Sequence, residues 1–227
     1  MDNTIIIYRS EVENKMGALV KRSLVDQIYV QIRDDIIEQV IPWGMRLNVN
    51  ELQDKFGVSS TPIREALNRL QKEGLIEYKN NIGANVISIG ERDIIEIQEV
   101  ASTLDCAAIR YSMEKGKIDE MAEELLYNIK CFRESDNEIK RAESIEQFSR
   151  VFYKYAENSR LIDMSKLIKG QQSMLRSAYR KEKEGSTSIE NHVKIYNSVL
   201  KKDVNSAMTF MEQEYKEATE ILLNYLK

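Results

Sequence analysis

Proline and glycine crowd into the first ninety residues, and this limits what the chain can become more than any other feature. Pro42 and Pro62 both fall there, with Gly44, Gly57, Gly74, Gly83 and Gly90, whereas only Gly116, Gly170 and Gly185 follow. These residues punctuate helices and strands. The N-terminal part therefore reads as a compact, turn-rich unit and the rest as long, uninterrupted elements. A boundary is expected near residues 90–92. This gives an arm over 1–21, a first domain over 22–90 and a second over 91–227.

With 227 residues, 42% hydrophobic and 31% charged, the chain has an ordinary globular composition and enough length for two cores. No apolar run approaches the length of a membrane span. The opening MDNTIIIYRSEVENK lacks a basic n-region and a long apolar core, so it does not read as a secretory signal. Cys106 and Cys131 are too few for a disulfide framework and read as reduced thiols. A cytoplasmic protein is expected.

Val25, Tyr29, Ile32, Ile36 and Val40 recur at helical steps, and Pro42 and Gly44 mark the end of that helix. NVNELQDKFG reads as a short second helix closed by Gly57. Thr61 before Pro62 suits an N-cap followed by proline in the first turn of a third helix, with Ile63, Ala66, Leu67 and Leu70 as its buried face. LIEYK and ANVISI then change the period to that of strands, joined through Asn80-Asn81-Ile82-Gly83. From Glu91 onward the spacing is helical. One stripe runs through Ile94, Ile97, Ala101, Leu104 and Ala108, another through Ile145, Phe148, Val151, Phe152 and Tyr155. Leu161, Met164, Ile168 and Leu175 give a third. Thr187 with Glu190 has capping-box spacing, and Asp203 suits the N-cap of a last helix through Val204, Ala207, Met208, Met211, Tyr215 and Leu222. The fold class expected is mainly α: a winged helix-turn-helix of three helices and a two-stranded wing, followed by an all-α antiparallel bundle of six or seven helices.

A winged helix-turn-helix presents the start of its third helix to a major groove and its wing to the adjacent backbone. Ser59, Ser60, Thr61 and Arg64 occupy that start: the guanidinium can fork onto guanine, and the hydroxyls suit phosphate or base edges. Residues 1–90 nevertheless hold 11 Lys and Arg against 12 Asp and Glu, a net of −1. Affinity for DNA rests on phosphate neutralisation, so one copy would bind weakly and a dimer presenting two recognition helices is expected.

The segment VSSTPIREALNRLQKEGLIE, preceded by IPWGMRLNVNELQDKFG and followed by NNIGANV, resembles the GntR-type bacterial transcriptional regulators. The helical remainder resembles the effector domain of the FadR/FCD branch. The resemblance implies a dimeric, ligand-controlled regulator that binds a double-stranded DNA operator. It implicates Thr61 and Arg64 most strongly in DNA binding, and Arg46, Asn50, Asn81 and Gly83 beside them. Ser60 and Asn50 stand where the family frequently has basic residues, which bears on the operator sequence.

Relatives in that branch hold a divalent metal through one Asp and three His. Aligned here, those positions become Ile145, Ser149, His192 and Glu214, which do not make such a site. No metal and no cofactor are expected. The same region supplies candidates for a small-molecule effector: Ser149, Tyr153, Arg176, His192 and Glu214. Arg176 is the candidate clamp for an organic acid. Enzymatic readings lack their parts. The one histidine has no recognisable nucleophile partner, and neither a P-loop nor Gly-x-Gly-x-x-Gly is present. Two alternatives remain at this level: a protein-interaction module, and a metabolite sensor without specific DNA binding.

Overall fold

A computed structural model describes residues 23–79, 83–182 and 189–226. The arm, Asn81 at the wing tip and Thr187 lie outside the described residues. No described helix is long and apolar enough to cross a membrane.

Helix α1 (Leu24–Ile37) opens on a capping box: Ser23 accepts from the Asp26 N–H, and the Asp26 carboxylate accepts from the Ser23 N–H. Its buried stripe is Ile28, Ile32 and Ile36, at steps of four. The helix ends earlier than the sequence suggests. Gln39 takes a left-handed conformation at φ 55°, the backbone leaves the helix before Pro42, and Val40 lies 70% exposed rather than in the core.

Strand β1 (Arg46–Leu47) leads into α2 (Val49–Phe56), which Gly57 closes at φ 66°. Helix α3 (Ser60–Lys72) has Ser59 as its N-cap, so it starts two residues before the Thr61–Pro62 pairing suggests. Pro62 still sits in the first turn, where its missing N–H leaves no intrahelical bond unmade. Ile63, Ala66, Leu67 and Leu70 are buried.

Strands β2 (Ile76–Lys79) and β3 (Gly83–Val86) form the wing, and β1 adds to its far edge in the order β1-β3-β2, all antiparallel. Arg46 pairs opposite Asn85, which pairs on its other side with Glu77. The expected two-stranded wing is thus a three-stranded sheet, because a two-residue strand has no sequence period to betray it.

Among the described residues the helices that follow are α4 (Glu91–Glu114), α5 (Ile118–Glu134), α6 (Glu138–Ala156), α7 (Ser159–Glu182), α8 (Glu190–Leu200) and α9 (Val204–Tyr225). Asp203 caps α9 by accepting from the Ser206 N–H. Met164, expected in a buried stripe, is 53% exposed on α7.

Two cores result. One gathers Ile109, Met121, Leu125, Phe148, Phe152, Ile195, Val199 and Met211 from the bundle. The other gathers the winged helix and extends across the linker to Met174, Leu175 and Ala178 of α7 and Leu222 of α9. Helix α7 thus packs on α4 and α9 of the bundle and also on the winged helix. The two parts meet closely at Gly170, where a Cβ would lie 2.4 Å from the Glu73 carbonyl oxygen and 2.9 Å from Leu75 Cγ.

Candidate functional site: a winged helix and a cavity in the bundle

Two features are candidate sites. The first is the start of α3. Ser59, Thr61 and Arg64 are exposed there and Ser60 is half-buried. The Ser59 hydroxyl makes no capping bond, so the first N–H groups of α3 are left for an outside acceptor. Asn68, one turn beyond Arg64, is also exposed; the sequence reading did not single it out. Arg69 is different. Its guanidinium is 2.6 Å from Asp26 and stacks 4.1 Å over the Tyr29 ring, so it braces α3 against α1. Tyr29 in turn donates to Glu73, which also accepts from Arg33 at 3.2 Å.

Arg46 and Gly83 are exposed on the wing sheet, and Asn50 is exposed in the first turn of α2. Asn85 is buried, and its side-chain amide donates to the Gly83 carbonyl at 2.9 Å, which fixes the entry to β3. Gly83 has φ 98°, in the region that favours glycine.

The second feature is a cavity of about 130 Å³, partly open to solvent and lined by α4, α6, α7, α8 and α9. Ile145, Leu175, Met211, Ala218 and Leu222 supply apolar wall. Polar groups converge from Asp105, Ser149, Gln172, Arg176, Arg180, Glu214 and Glu217. Asp105 is buried and accepts from both Tyr153 (2.7 Å) and Tyr215 (2.8 Å). Burial pushes its carboxyl up, and the two phenols pull against that. Burial, with Asp105 beside them, raises both tyrosines, so they stay donors.

Arg176 lies 3.4 Å from Glu146. Burial opposes ionisation of that carboxyl, but Arg176, Arg150 and Lys169 together hold it below its ordinary value. Behind the wall, His192 is almost wholly buried, with Nδ1 3.1 Å from Glu214 Oε2 and its ring edge-on to Phe148. Burial drives His192 down to about 3 and Glu214 up to about 8, so each favours its neutral form. The Nδ1 and Oε2 atoms do not align as a hydrogen bond, and neither has another partner among the described residues.

Residues 24–86 match the family described as bacterial regulatory proteins, gntR family, and residues 96–216 match the FCD domain, which alone spans more than half of the chain. The chain belongs to the GntR family. Its FCD domain places it in the branch whose regulators pair a DNA-binding winged helix with an effector-binding helical domain. YdhC, an HTH-type transcriptional regulator of Bacillus subtilis (strain 168), is 22% identical over 205 residues, covering 88% of this chain and 92% of its own. A probable D-xylose utilization operon transcriptional repressor of Paenarthrobacter nicotinovorans is 28% identical over 155 residues, 65% of this chain and 67% of that protein. In three dimensions the chain is similar to a putative GntR regulator from Rhodococcus sp. RHA1, with TM-score 0.67 and 17% identity over 89% of this chain and 99% of that one. E. coli McbR/YncC gives TM-score 0.66 and 19% identity over 91% and 100%. These two likenesses speak for the fold.

In this GntR regulator the positions aligned with the branch's metal ligands do come together. Ile145, Ser149 and Glu214 share the cavity wall, and His192 backs Glu214. Their chemistry does not suit a metal. Ile145 offers no donor atom, and among the described residues no group of three His, Cys, Asp or Glu is arranged to hold an ion. Of the effector candidates read from sequence, Ser149, Arg176 and Glu214 line the cavity, Tyr153 touches it through Asp105, and His192 sits one layer behind. Asp105, Gln98, Gln172, Tyr179, Arg180, Asn191, Tyr215 and Glu217 also line it and were not singled out. One signal was available: Asp105 is a carboxylate inside an otherwise apolar stripe, one turn from both Ala101 and Ile109.

Proposed function

We propose that this GntR regulator binds a duplex operator as a homodimer and that a small metabolite in the α4–α9 cavity controls that binding. The observation that carries this reading is the double duty of α7. Arg180 lines the cavity and also lies 2.7 Å from Glu38, the C-cap of α1. Ser177 donates to the same carboxylate at 3.1 Å, and Lys181 to the Glu38 carbonyl at 2.7 Å. Leu175 and Leu222 line the cavity and belong to the winged-helix core. A ligand that shifts α7 therefore shifts the base of the winged helix. Coupling follows if the ligand binds the DNA-competent and DNA-incompetent placements unequally.

A second copy is supported by charge and by surface. The first ninety residues carry a net charge of −1, with 11 Lys and Arg against 12 Asp and Glu, which disfavours tight single-site binding. Helix α4 also presents Val100, Leu104, Ala107 and Tyr111 at helical steps, with Val100 and Tyr111 exposed. Thr61 and Arg64 enter the major groove in this reading. Arg46, Asn50, Ser59, Ser60 and Gly83 contact backbone or groove edges, as does Asn81, which lies outside the described residues.

Selection of random duplex DNA with the purified protein tests this. A palindromic site is expected to enrich. On that site Arg64→Ala is expected to cost about 1–3 kcal/mol of specific binding and to relax preference at one base position. Absence of enrichment at low salt, with and without ligand, or an unchanged affinity of the variant, would count against the assignment.

A further inference from the structure

Charge is balanced unevenly around the cavity. Both lining guanidiniums already face a carboxylate that belongs to no part of the wall: Arg176 faces Glu146 and Arg180 faces Glu38. The lining carboxylates are held mainly by neutral donors. Asp105 takes two phenol O–H groups. Glu217 takes the amides of Asn191 (3.1 Å) and Gln213 (2.8 Å). Glu214 has only the His192 ring nearby, and Oε2 is left without a hydrogen bond. Arg176 also acts on Asp105 and Glu214 through its field, but one guanidinium is then divided among three acids.

The wall thus holds three carboxylates and no cation dedicated to them among the described residues. Glu214 Oε2 lies 3.1 Å from His192 Nδ1 but makes no hydrogen bond to it or to any other described group, so this lining carboxyl can take a donor from the cavity. Glu214 and Glu217 lie three residues apart and share one face of α9. Ile145, Leu175 and Met211 offer a carbon chain an apolar bed.

Resting on the reading of this cavity as the effector site, we propose that its ligand bears a primary ammonium group, held by Glu214 with Asp105 and Glu217, on a short aliphatic chain. An ammonium brings three donors and one positive charge, and that charge beside Glu214 favours the ionised carboxylate that burial otherwise opposes. A plain dicarboxylate would set further carboxylates beside Asp105, Glu214 and Glu217, and Arg176 would have to leave Glu146 to receive it.

A matched series separates the classes: putrescine, γ-aminobutyrate and succinate, with their five- and six-carbon homologues, each at millimolar concentration on the full chain. Thermal stabilisation and isothermal titration are the readouts. At least one amine-bearing member is expected to raise the melting temperature, as a ligand that binds only the native state must. Succinate and its homologues are expected to leave it unchanged. Glu214→Gln is expected to weaken the amine at least about thirtyfold. Glu217→Gln provides the same test if the first variant folds poorly.

Stabilisation by dicarboxylates alone, lost in Arg176→Lys, would overturn the ammonium assignment and leave the cavity as the effector site. An amine that binds the Glu214 and Glu217 variants as tightly as the wild type would lie elsewhere and overturn both. Failure of every amine to bind would overturn the ammonium assignment.

Discussion

Replacing Gly170 by alanine is expected to lower the stability of this GntR regulator, although the same change in an ordinary helix raises it. Alanine is favoured over glycine in a helix interior by about 1 kcal/mol. Here the new methyl would sit 2.4 Å from the Glu73 carbonyl oxygen and within 3.1 Å of two Leu75 carbons. The oxygen is main chain at the C-cap of α3, whose N–H is committed to Arg69, so it cannot swing aside. Helix α7 and the C-terminal end of α3 must separate, which exposes part of the core shared by Leu75, Met174 and Leu175. Overpacking of this kind costs about 1–3 kcal/mol. For a chain of this size that is a fall of roughly 3–10 °C in melting temperature. Thermal unfolding of the wild type and Gly170→Ala decides it: an equal or higher melting temperature in the variant would mean that α7 does not press on the winged helix at this point.

The second large effect concerns pH. Glu214 is raised from an ordinary 4.5 to about 8, first by burial and then by Asp105, with Arg176 opposing. The folded state therefore prefers the protonated carboxyl. Below the ordinary value both states are protonated and nothing is lost. As pH rises through that value toward 8 the unfolded chain ionises first, so stability falls, and above 8 the loss is complete. His192 has the opposite sense. Its ring is held at about 3 against 6.5, so its contribution is full above 6.5 and is lost as pH falls toward 3.

The full Glu214 shift corresponds to about 5 kcal/mol at roughly 1.36 kcal/mol per unit. The side chain is 30% exposed, and screening brings the expected effect to about 2 kcal/mol. Glu214→Gln keeps the shape, removes the titration and offers an amide to His192 Nδ1. The variant is expected to match the wild type near the ordinary carboxylate value and to exceed it by roughly 4–8 °C on the alkaline side of 8. Parallel melting curves for the two proteins across that range would show that Glu214 titrates as an exposed carboxylate.

Much of this architecture was legible in the residues because local signals agreed with the global fold. Ile63, Ala66, Leu67 and Leu70 in α3, Gly57 before it and the period change after Gly74 all pointed to a winged helix. Places where the sequence misled have physical causes. Val40 continues the α1 spacing, yet the backbone turns left-handed at Gln39 and carries it out to solvent. Met164 keeps a helical step with Leu161, but α7 turns there toward a surface that no described element covers.

The cavity was half legible. An alignment of metal-ligand positions led to Ser149 and Glu214, which do line it; Asp105 left a trace as a carboxylate in an apolar stripe, whereas Arg180 reaches the cavity only through the packing of α7. That α7 would press on Glu73 and clamp Glu38 is a long-range contact with no local signature. Family membership then explains why a winged helix and an FCD bundle share one chain.

The most direct measurement is operator affinity with and without ligand for the wild type and Glu38→Gln. It uses the duplex recovered by selection and the molecule that most stabilises the cavity. The amide keeps the shape of Glu38 but removes the charge that Arg180 holds. Ligand is expected to change wild-type affinity by about 5–150-fold, the range typical of coupled sites. Glu38→Gln is expected to bind the bare operator as the wild type does and to lose most of that response. A variant that binds the operator normally and responds to ligand as fully as the wild type would show that the signal does not pass from the cavity to the winged helix through α7.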